Sequence, residues 1–447
     1  MRPHLFWLAA SLAAMPAAVH GQGARAPTGV AATGAVVVAS PEQAVAAALA
    51  GSPALRGADA SRQAVRGDAL QAPLRPNPEA TVLGEGFGGL GGSGELRGAR
   101  GLETTLGVVQ RVELGGKRAA RIGLADRSLD VAGLEFEAAR LDLARDAVAA
   151  LAEAVAAART VGVEQDRVRL AAETLRVARG RVEAGKEPLL QVRRAEVARA
   201  TAEVAAERAR REAEVALRNL AVLLGAPRAE LAPRQAWFDD VGPAPRPPVP
   251  ADPLARMAAN PDLARLDAAV AQQRANLSLQ RANAVPDVTV SGNVRRYEAN
   301  RGETAFVASL GIPVPISDRN QGGIARAQAE LLRAEAEADR GRLALAAALT
   351  SAERRTELAW RSVQDLRRVA LPAAEQAANF AAGGFAEGKF GFLEVLDAQR
   401  ALSDARAQLN DALREFHARR AEAERLRGRV PGVPPQTPGV SPAGGAR

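Results

Sequence analysis

Along residues 288–295 apolar and polar positions alternate, with Val288, Val290, Gly292 and Val294 set against Thr289, Ser291, Asn293 and Arg295. Phe306, Ala308, Leu310, Ile312 and Val314 share one side of the next segment. A period of two marks strands with one apolar face, so strands are predicted over 286–297 and 304–316. A weaker alternation predicts another pair over 79–88 and 102–113, with the glycine-rich GGLGGSGELRGARG between them. After each pair the period changes. Residues 117–184 contain no proline; Leu134, Leu141, Val148 and Val155 recur every seven positions, with Ala144, Leu151 and Ala158 at the companion spacing. That is a coiled-coil pattern, and at about 1.5 Å per residue the helix reaches roughly 100 Å. A partner helix is predicted over 188–224. The plan returns over 320–382 and 390–427, where Val395, Leu402, Leu409 and Phe416 again step by seven. Pro372 is expected to kink the longer helix of this second pair.

The two halves echo one another. GFAEGKFGFLEVLDAQRAL (384–402) aligns with GRVEAGKEPLLQVRRAEVA (180–198), placing Gly388 on Gly185, Lys389 on Lys186 and Val395 on Val192. Asn260, Pro261, Asp262 and Leu263 match Ser52, Pro53, Ala54 and Leu55; Pro286 and Asp287 match Pro78 and Glu79. Two repeats follow, 40–225 and 252–428, separated by a proline-rich linker over 226–251. Each carries two short helices, two strands and one long antiparallel hairpin. Ser40, Ser52, Asp252 and Asn260 each precede a proline, the arrangement of a capping side chain before a first-turn proline. Ser40 and Gln43 also fit a capping box. Gly185 and Gly388 supply the backbone freedom that a helix reversal needs.

Hydrophobic residues make up 47% of the chain but aromatic ones only 3%, which suits closely packed helices. The net charge of +8 is carried by arginines mixed with Glu and Asp. This reads as a solvated helix surface, and no basic cluster with interleaved aromatics supports a nucleic-acid partner. The absence of cysteine excludes disulfides, thiolate metal sites and cysteine nucleophiles. His417 is the one histidine outside the first 21 residues, and it is expected on the surface. No metal site, cofactor or catalytic constellation is expected, and hence no enzyme.

Residues 1–21 resemble a secretory signal, residues 22–39 read as a linker, and residues 429–447 read as a disordered tail rich in Pro and Gly. Beyond the leader no apolar run reaches the roughly 18 residues of a membrane helix, so a crossing must be a barrel. Trp237 and Trp360 fall outside the strands, which leaves an aromatic girdle to Phe87, Tyr297 and Phe306. Four strands are too few to close a wall, since the smallest outer-membrane barrels have about eight, and open edges cannot face lipid. Either the sheet is soluble with protected edges, as in a periplasmic coiled-coil scaffold, or several chains pool their strands.

The order helix, helix, strand, strand, long helix, helix, twice over, resembles the TolC-like outer-membrane channels of tripartite efflux pumps across essentially the whole mature chain. The junctions QRVELGGKR (110–118) and IPVPISDRNQGG (312–323) look like the branch that exports heavy-metal cations. The resemblance implies an α+β membrane protein: a homotrimer whose twelve-stranded β-barrel, set in outer-membrane lipid, joins an α-helical barrel across the periplasm. It implies a passive exit duct for heavy-metal cations, with general drug efflux as the alternative. It also implies docking to a periplasmic adaptor and an inner-membrane proton-driven pump. Glu394 and Asp397 match the family's acidic constriction, and a ring of acids favours cations. Gln191 and Arg194 are their counterparts in the other repeat, and Arg194 is expected to offset or pair with the acids of a neighbouring hairpin. Phe385, Phe390 and Gln191 stand where the family places polar links, so the closing contacts are expected to be apolar. Val182, Gly185, Lys186, Phe385, Gly388 and Lys389 correspond to adaptor-docking tips. Gly115, Gly116, Lys117, Pro313, Pro315, Arg319 and Asn320 form the strand-to-helix junctions. The glycines there are expected to permit the bend, and Lys117, Arg118 and Arg319 to snorkel at the membrane interface.

Overall fold

The computed structural model describes residues 34–86, 101–244, 251–298 and 300–433. The leader 1–21, Phe87 and most of the glycine-rich loop, the middle of the proline-rich linker and the tail from residue 434 lie outside the described residues.

Strand β1 (Val36–Val38) leads into α1 (Pro41–Gly51) and α2 (Pro53–Gln71), then β2 (Glu79–Glu85), β3 (Glu103–Val112), α3 (Lys117–Glu183) and α4 (Leu189–Leu224). A short passage holds β4 (Ala229–Leu231), α5 (Ala236–Asp239) and α6 (Pro253–Arg256). The plan then returns as α7 (Pro261–Asn283), β5 (Val288–Tyr297), β6 (Glu303–Gly311), α8 (Gln321–Asp365), a π-helical turn (Leu366–Ala370), α9 (Leu371–Ala386) and α10 (Phe392–Leu426).

Side chains start several of these helices. Ser40 Oγ accepts the Gln43 N–H at 3.4 Å, while Gln43 reaches back to the Ala39 N–H. Asp252 and Asn260 cap α6 and α7 in the same way. Ser52 departs from the expected capping role. It is buried at the junction of α1 and α2, and its N–H closes α1 on the Ala48 carbonyl instead.

The helices form one layer. In its upper half the order is α2, α3, α7, α8; in its lower half it is α4, α3, α10 and then α8 and α9. The short helices stack end to end, α2 on α4 and α7 on α10. The Asn260 cap donates Nδ2–H to the Leu426 carbonyl at the end of α10, at 2.6 Å. Gly428 lies so close to Ala259 that a Cβ would meet its carbonyl oxygen at 2.3 Å, which only glycine tolerates. The inner face of α4 is almost all alanine, with Ala195, Ala202, Ala209 and Ala216 seven apart and buried. Small side chains let helix axes approach closely.

The largest core forms a belt around the middle of the layer, where Leu151, Leu220, Val363, Leu413 and Phe416 meet Val38, Ala229 and Phe238. Segments read from sequence as linkers build part of this belt. Val36–Val38 pairs in parallel with Ala229–Leu231, and Pro431 is buried where the first tail residues fold back. Three-residue strands are too short to show a period, and this parallel pair joins distant parts of the chain. His417, expected on the surface, lies here buried against Trp237, Phe238 and Phe416.

Strand β6 stops at Gly311 rather than near 316, because Pro313 and Pro315 have no N–H for the ladder. The kink expected at Pro372 takes a specific form. The π turn at Leu366–Ala370 immediately precedes it and relieves the clash of the ring with the carbonyl four residues back. Helix α9 then continues to Ala386, through Gly383 and Gly384, past the end expected near 382.

Candidate channel wall and aperture

Strands β2, β3, β5 and β6 form one antiparallel sheet in the order β2-β3-β5-β6. The register lines up Val82, Leu106, Val294 and Phe306, with Val108 and Ala308 in the next row and Val290 and Leu310 beyond. Directly paired residues of an antiparallel sheet point to the same side, so these make one apolar face. None of the described residues covers it, and Phe306 is 92% exposed. The opposite face is polar. Arg295 reaches Glu85 at 3.2 Å, Glu103 at 3.0 Å and the Thr105 hydroxyl at 3.0 Å. Ser291 and Ser309 share a hydrogen bond of 2.7 Å, and Asn293 donates to Ser291. Gly107 leaves room for the Asn293 side chain, which a Cβ there would overlap. Tyr297 pairs with Glu103 and Glu303 and so stands on the polar face, not in an outward girdle. Among the described residues, both outer strands, β2 and β6, have one unpaired edge. Spans of nine or ten residues in β3, β5 and β6 match the roughly 9–11 residues of a tilted membrane strand. Among the described residues no helix is long and apolar enough to cross a membrane.

At the foot of the sheet Gly115 and Gly116 have positive φ, as does Asn320 at 55°, and each corner turns there into α3 or α8. The basic residues of the corners do not snorkel. Lys117 pairs with Asp287 at 2.5 Å, both half-buried or better, tying the first repeat's corner to the start of β5. Arg118 donates to the Pro73 carbonyl and Arg121 to the Ala72 and Leu74 carbonyls at the end of α2, and Arg121 also pairs with Glu113 just past β3. Arg319 folds onto the Pro315 carbonyl, and Asn320 donates to Gln280 at the end of α7. Pro313 is exposed and Pro315 half-buried in the extended stretch between β6 and that corner. Asp287 was missed in the sequence, although its repeat partner Glu79 marks the position.

At the far end the two hairpin turns are the same backbone motif. The Gly185 N–H bonds to the Val182 carbonyl and the Lys186 N–H to Arg181; Gly388 bonds to Phe385 and Lys389 to Gly384. Both glycines have positive φ, 70° and 78°. This is a Schellman closure with glycine at the left-handed position, and it accounts for the repeated glycine. Lys186 and Lys389 are exposed, and Lys389 pairs with Glu387 at 2.5 Å. Val182 is half-buried. Phe385 is buried with Phe392, Leu175, Ala178, Val192 and Val395, in a cluster drawn from both hairpins. Of the six expected tip positions, Phe385 therefore faces its own neighbouring hairpin rather than the surface.

Glu394 and Asp397 are exposed on the first turns of α10. Asp397 lines a groove of about 600 Å³ over α3 with Leu190, Arg194, Val197, Leu393 and Arg400. Among the described residues, Arg194 and Asp397 share this groove without forming an ion pair, and Glu394 has no basic partner. Gln191 is half-buried, with its Oε1 buried and unpartnered. The groove brings the Asp397 carboxylate and the Arg194 guanidinium onto one surface near the hairpin turns.

A family model described as outer membrane efflux protein matches residues 44–226 and 256–429. The chain is 31% identical over 364 residues to the cobalt-zinc-cadmium resistance protein CzcC of Cupriavidus metallidurans, covering 81% of this chain and 84% of that protein. It is 30% identical over 306 residues to the nickel-cobalt-cadmium resistance protein NccC of Alcaligenes xylosoxydans xylosoxydans, covering 68% and 67%. Among solved structures, CusC superposes with a TM-score of 0.74 at 17% identity, over 87% of this chain and 92% of that one. The open state of the Neisseria gonorrhoeae MtrE outer membrane channel gives 0.74 at 20% identity, over 89% and 91%. These superpositions speak for the fold; the family match and the relatives in sequence carry the rest. With a one-face-apolar sheet at one end and a long helical layer behind it, the chain belongs to the outer membrane efflux protein family and serves as an efflux channel component of the outer membrane.

Proposed function

We propose that three copies close into a duct that carries heavy-metal cations out through the outer membrane. The observation that carries this reading is the four-stranded sheet with an uncovered apolar face and two open edges. Unpaired backbone groups cannot face lipid; β6 of one copy pairing with β2 of the next removes the edges, and three copies give an even twelve strands. The helical layer has the same character. Its edge helices carry exposed apolar stripes, Val197, Val204, Val215 and Val222 on α4, and Leu358, Val369 and Phe380 on α8, the π turn and α9. These steps of seven and eleven keep each stripe on one side of its helix, so the edges of neighbouring copies suit one another. The polar sheet face then lines the lumen and the apolar face meets lipid.

The named relatives support metal cations as cargo. Among the described residues no group of three or more His, Asp or Glu is placed to hold a metal ion, so the cargo reading rests on kinship and not on a binding site. The chain contributes a passage, with no catalytic role. A periplasmic adaptor at the tips, around Gly185, Lys186, Gly388 and Lys389, and an inner-membrane proton-driven pump complete the system. Glu394 and Asp397, with Arg194 and Gln191 beside them, narrow its lower end. Deleting the gene and challenging the strain with metals and drugs tests the cargo. Selective loss of resistance to cobalt, zinc, cadmium or nickel is the expected outcome; sensitivity to drugs alone would move the duct to general efflux.

A further inference from the structure

The belt holds a small cavity of about 190 Å³ beside α10. His417 forms part of its wall and is only 6% exposed. Its Nε2 donates to the Phe238 carbonyl at 2.9 Å, which leaves Nδ1 as the acceptor of the neutral imidazole. Among the described residues no donor meets Nδ1. The cavity is thus lined by a buried side chain with one hydrogen-bonding position unused.

The charges around it do not cancel. Arg420 pairs with Glu424 at 2.9 Å, and the other Glu424 oxygen takes the Gly432 N–H at 3.2 Å. That pair is neutral. Asp240 accepts the Gly242 N–H at 3.0 Å through Oδ1, and neither Asp240 nor Glu42 has a basic partner among the described residues. Both line the cavity, so two carboxylates stand uncompensated on a chain whose formal net charge is +8. Trp237 adds an aromatic wall. Its Nε1 is fixed on Gln235 Oε1 at 2.6 Å, and its ring lies 4.8 Å from that of His417. Gly432, with φ of 77°, closes the rim. A Cβ there would meet the Pro41 Cβ at 2.8 Å and the Val148 Cγ2 at 3.1 Å, so the chain lies down where only glycine fits.

We propose that this cavity is a binding site for a primary ammonium on a short aliphatic stem, brought by a free amine or by a lysine side chain of a bound polypeptide. An ammonium has three donors and one positive charge. His417 Nδ1 offers the acceptor, Glu42 and Asp240 the opposite charge, and the Trp237 ring a face that attracts cations. Val148 and Ala421 give the stem apolar contact. The volume suits one side-chain-sized group and falls short of the roughly 300–1,000 Å³ of a drug-sized pocket. A bare metal ion fits less well, since among the described residues no three His, Asp or Glu are placed to hold one. The site lies at the belt, away from both the sheet and the tips, and does not depend on the duct reading.

Butylamine and Nα-acetyl-lysine methylamide are titrated at neutral pH into the full-length protein in detergent and followed by calorimetry, with N-butylacetamide as the uncharged control. The expected result is saturable binding of an amine at one site per chain and none of the control. Glu42 and Asp240 are exposed, so Glu42→Gln with Asp240→Asn keeps shape and removes charge. This double variant should bind at least about tenfold more weakly, as hydrogen bonds to charged groups are lost. With isotope-labelled histidine, the His417 Nδ1 resonance should move when the amine binds; only His4 and His20 share the label. Tighter binding of the lysine analogue assigns the site to a polypeptide partner, and tighter binding of butylamine assigns it to a free amine. No saturable binding of either amine, equal binding of the control, unchanged affinity in the double variant or an unmoved Nδ1 resonance would overturn the proposal.

Discussion

The sheet and the hairpin tips lie at opposite ends of the same long helices and solve opposite problems. At the sheet, apolar side chains such as Leu106, Val108 and Phe306 face outward and two strand edges stay open. At the tips, apolar side chains from four helices face inward, and Phe385 and Phe392 meet edge to face at 6.1 Å. On the proposed reading lipid and other copies complete the sheet, whereas the tips bury their apolar cluster within a single chain. The difference teaches where assembly is driven. On that reading assembly is driven mainly at the sheet, whereas the apolar cluster of the tips needs no second copy to fill it. The belt around His417 lies between them.

Removing the filling of the tips has the largest expected effect. Phe392→Ala empties a buried site and is expected to cost about 3–5 kcal/mol, read as a lower urea midpoint for the helical signal, with trimer mass in detergent retained. A loss of trimers at unchanged helix stability would erase the contrast between the ends. At the sheet, Leu106→Arg places a charge on the lipid side and is expected to cost about 2–4 kcal/mol of membrane assembly. Thr81→Arg, on the polar face, leaves insertion into vesicles near the parent level; equal damage from both would mean the faces are misassigned.

The belt should respond to acid. His417 Nε2 contacts the Phe238 carbonyl at 2.9 Å, and because a carbonyl only accepts, Nε2 carries the proton. Burial, with Arg420 nearby, outweighs the Phe238 hydrogen bond and the carboxylates of Asp239 and Asp240, and lowers the imidazole from 6.5 to about 4. The neutral form is the folded one, so this stability is complete above about pH 6.5 and falls as pH drops towards about 4, by about 3 kcal/mol in all. Urea midpoints across that window should fall for the parent and stay flatter for His417→Gln. The smallest structural effect belongs to Lys186→Glu and Lys389→Glu. Both sites are exposed, and stability should stay within about 0.5 kcal/mol, while adaptor-dependent resistance falls; intact resistance would remove the docking assignment.

Much of this was legible in the residues. Val288 to Val294 alternate because the sheet has one apolar and one polar face, and Leu141, Val148 and Val155 step by seven because α3 buries one stripe. The repeated glycine was legible because a Schellman turn demands glycine at one position. What was hidden depends on partners far apart in sequence. The Val36–Val38 strand needs Ala229–Leu231, the burial of His417 needs α5, and the Lys117 pair needs Asp287 from the other repeat. Local pattern marked Lys117 only as a cation near a membrane.

Whether copies complete the sheet can be tested by placing one cysteine on β2 and one on β6, over a small panel of positions including Thr81 with Val307. Neighbouring strands lie about 4.8 Å apart, so β2 and β6 of one chain stand roughly 14 Å apart across β3 and β5, beyond the reach of a disulfide. The expected result is that at least one pair oxidises into covalently linked trimers in native outer membranes. Chains that never cross-link at any register, and that remain folded monomers in detergent-free buffer, would contradict the shared wall.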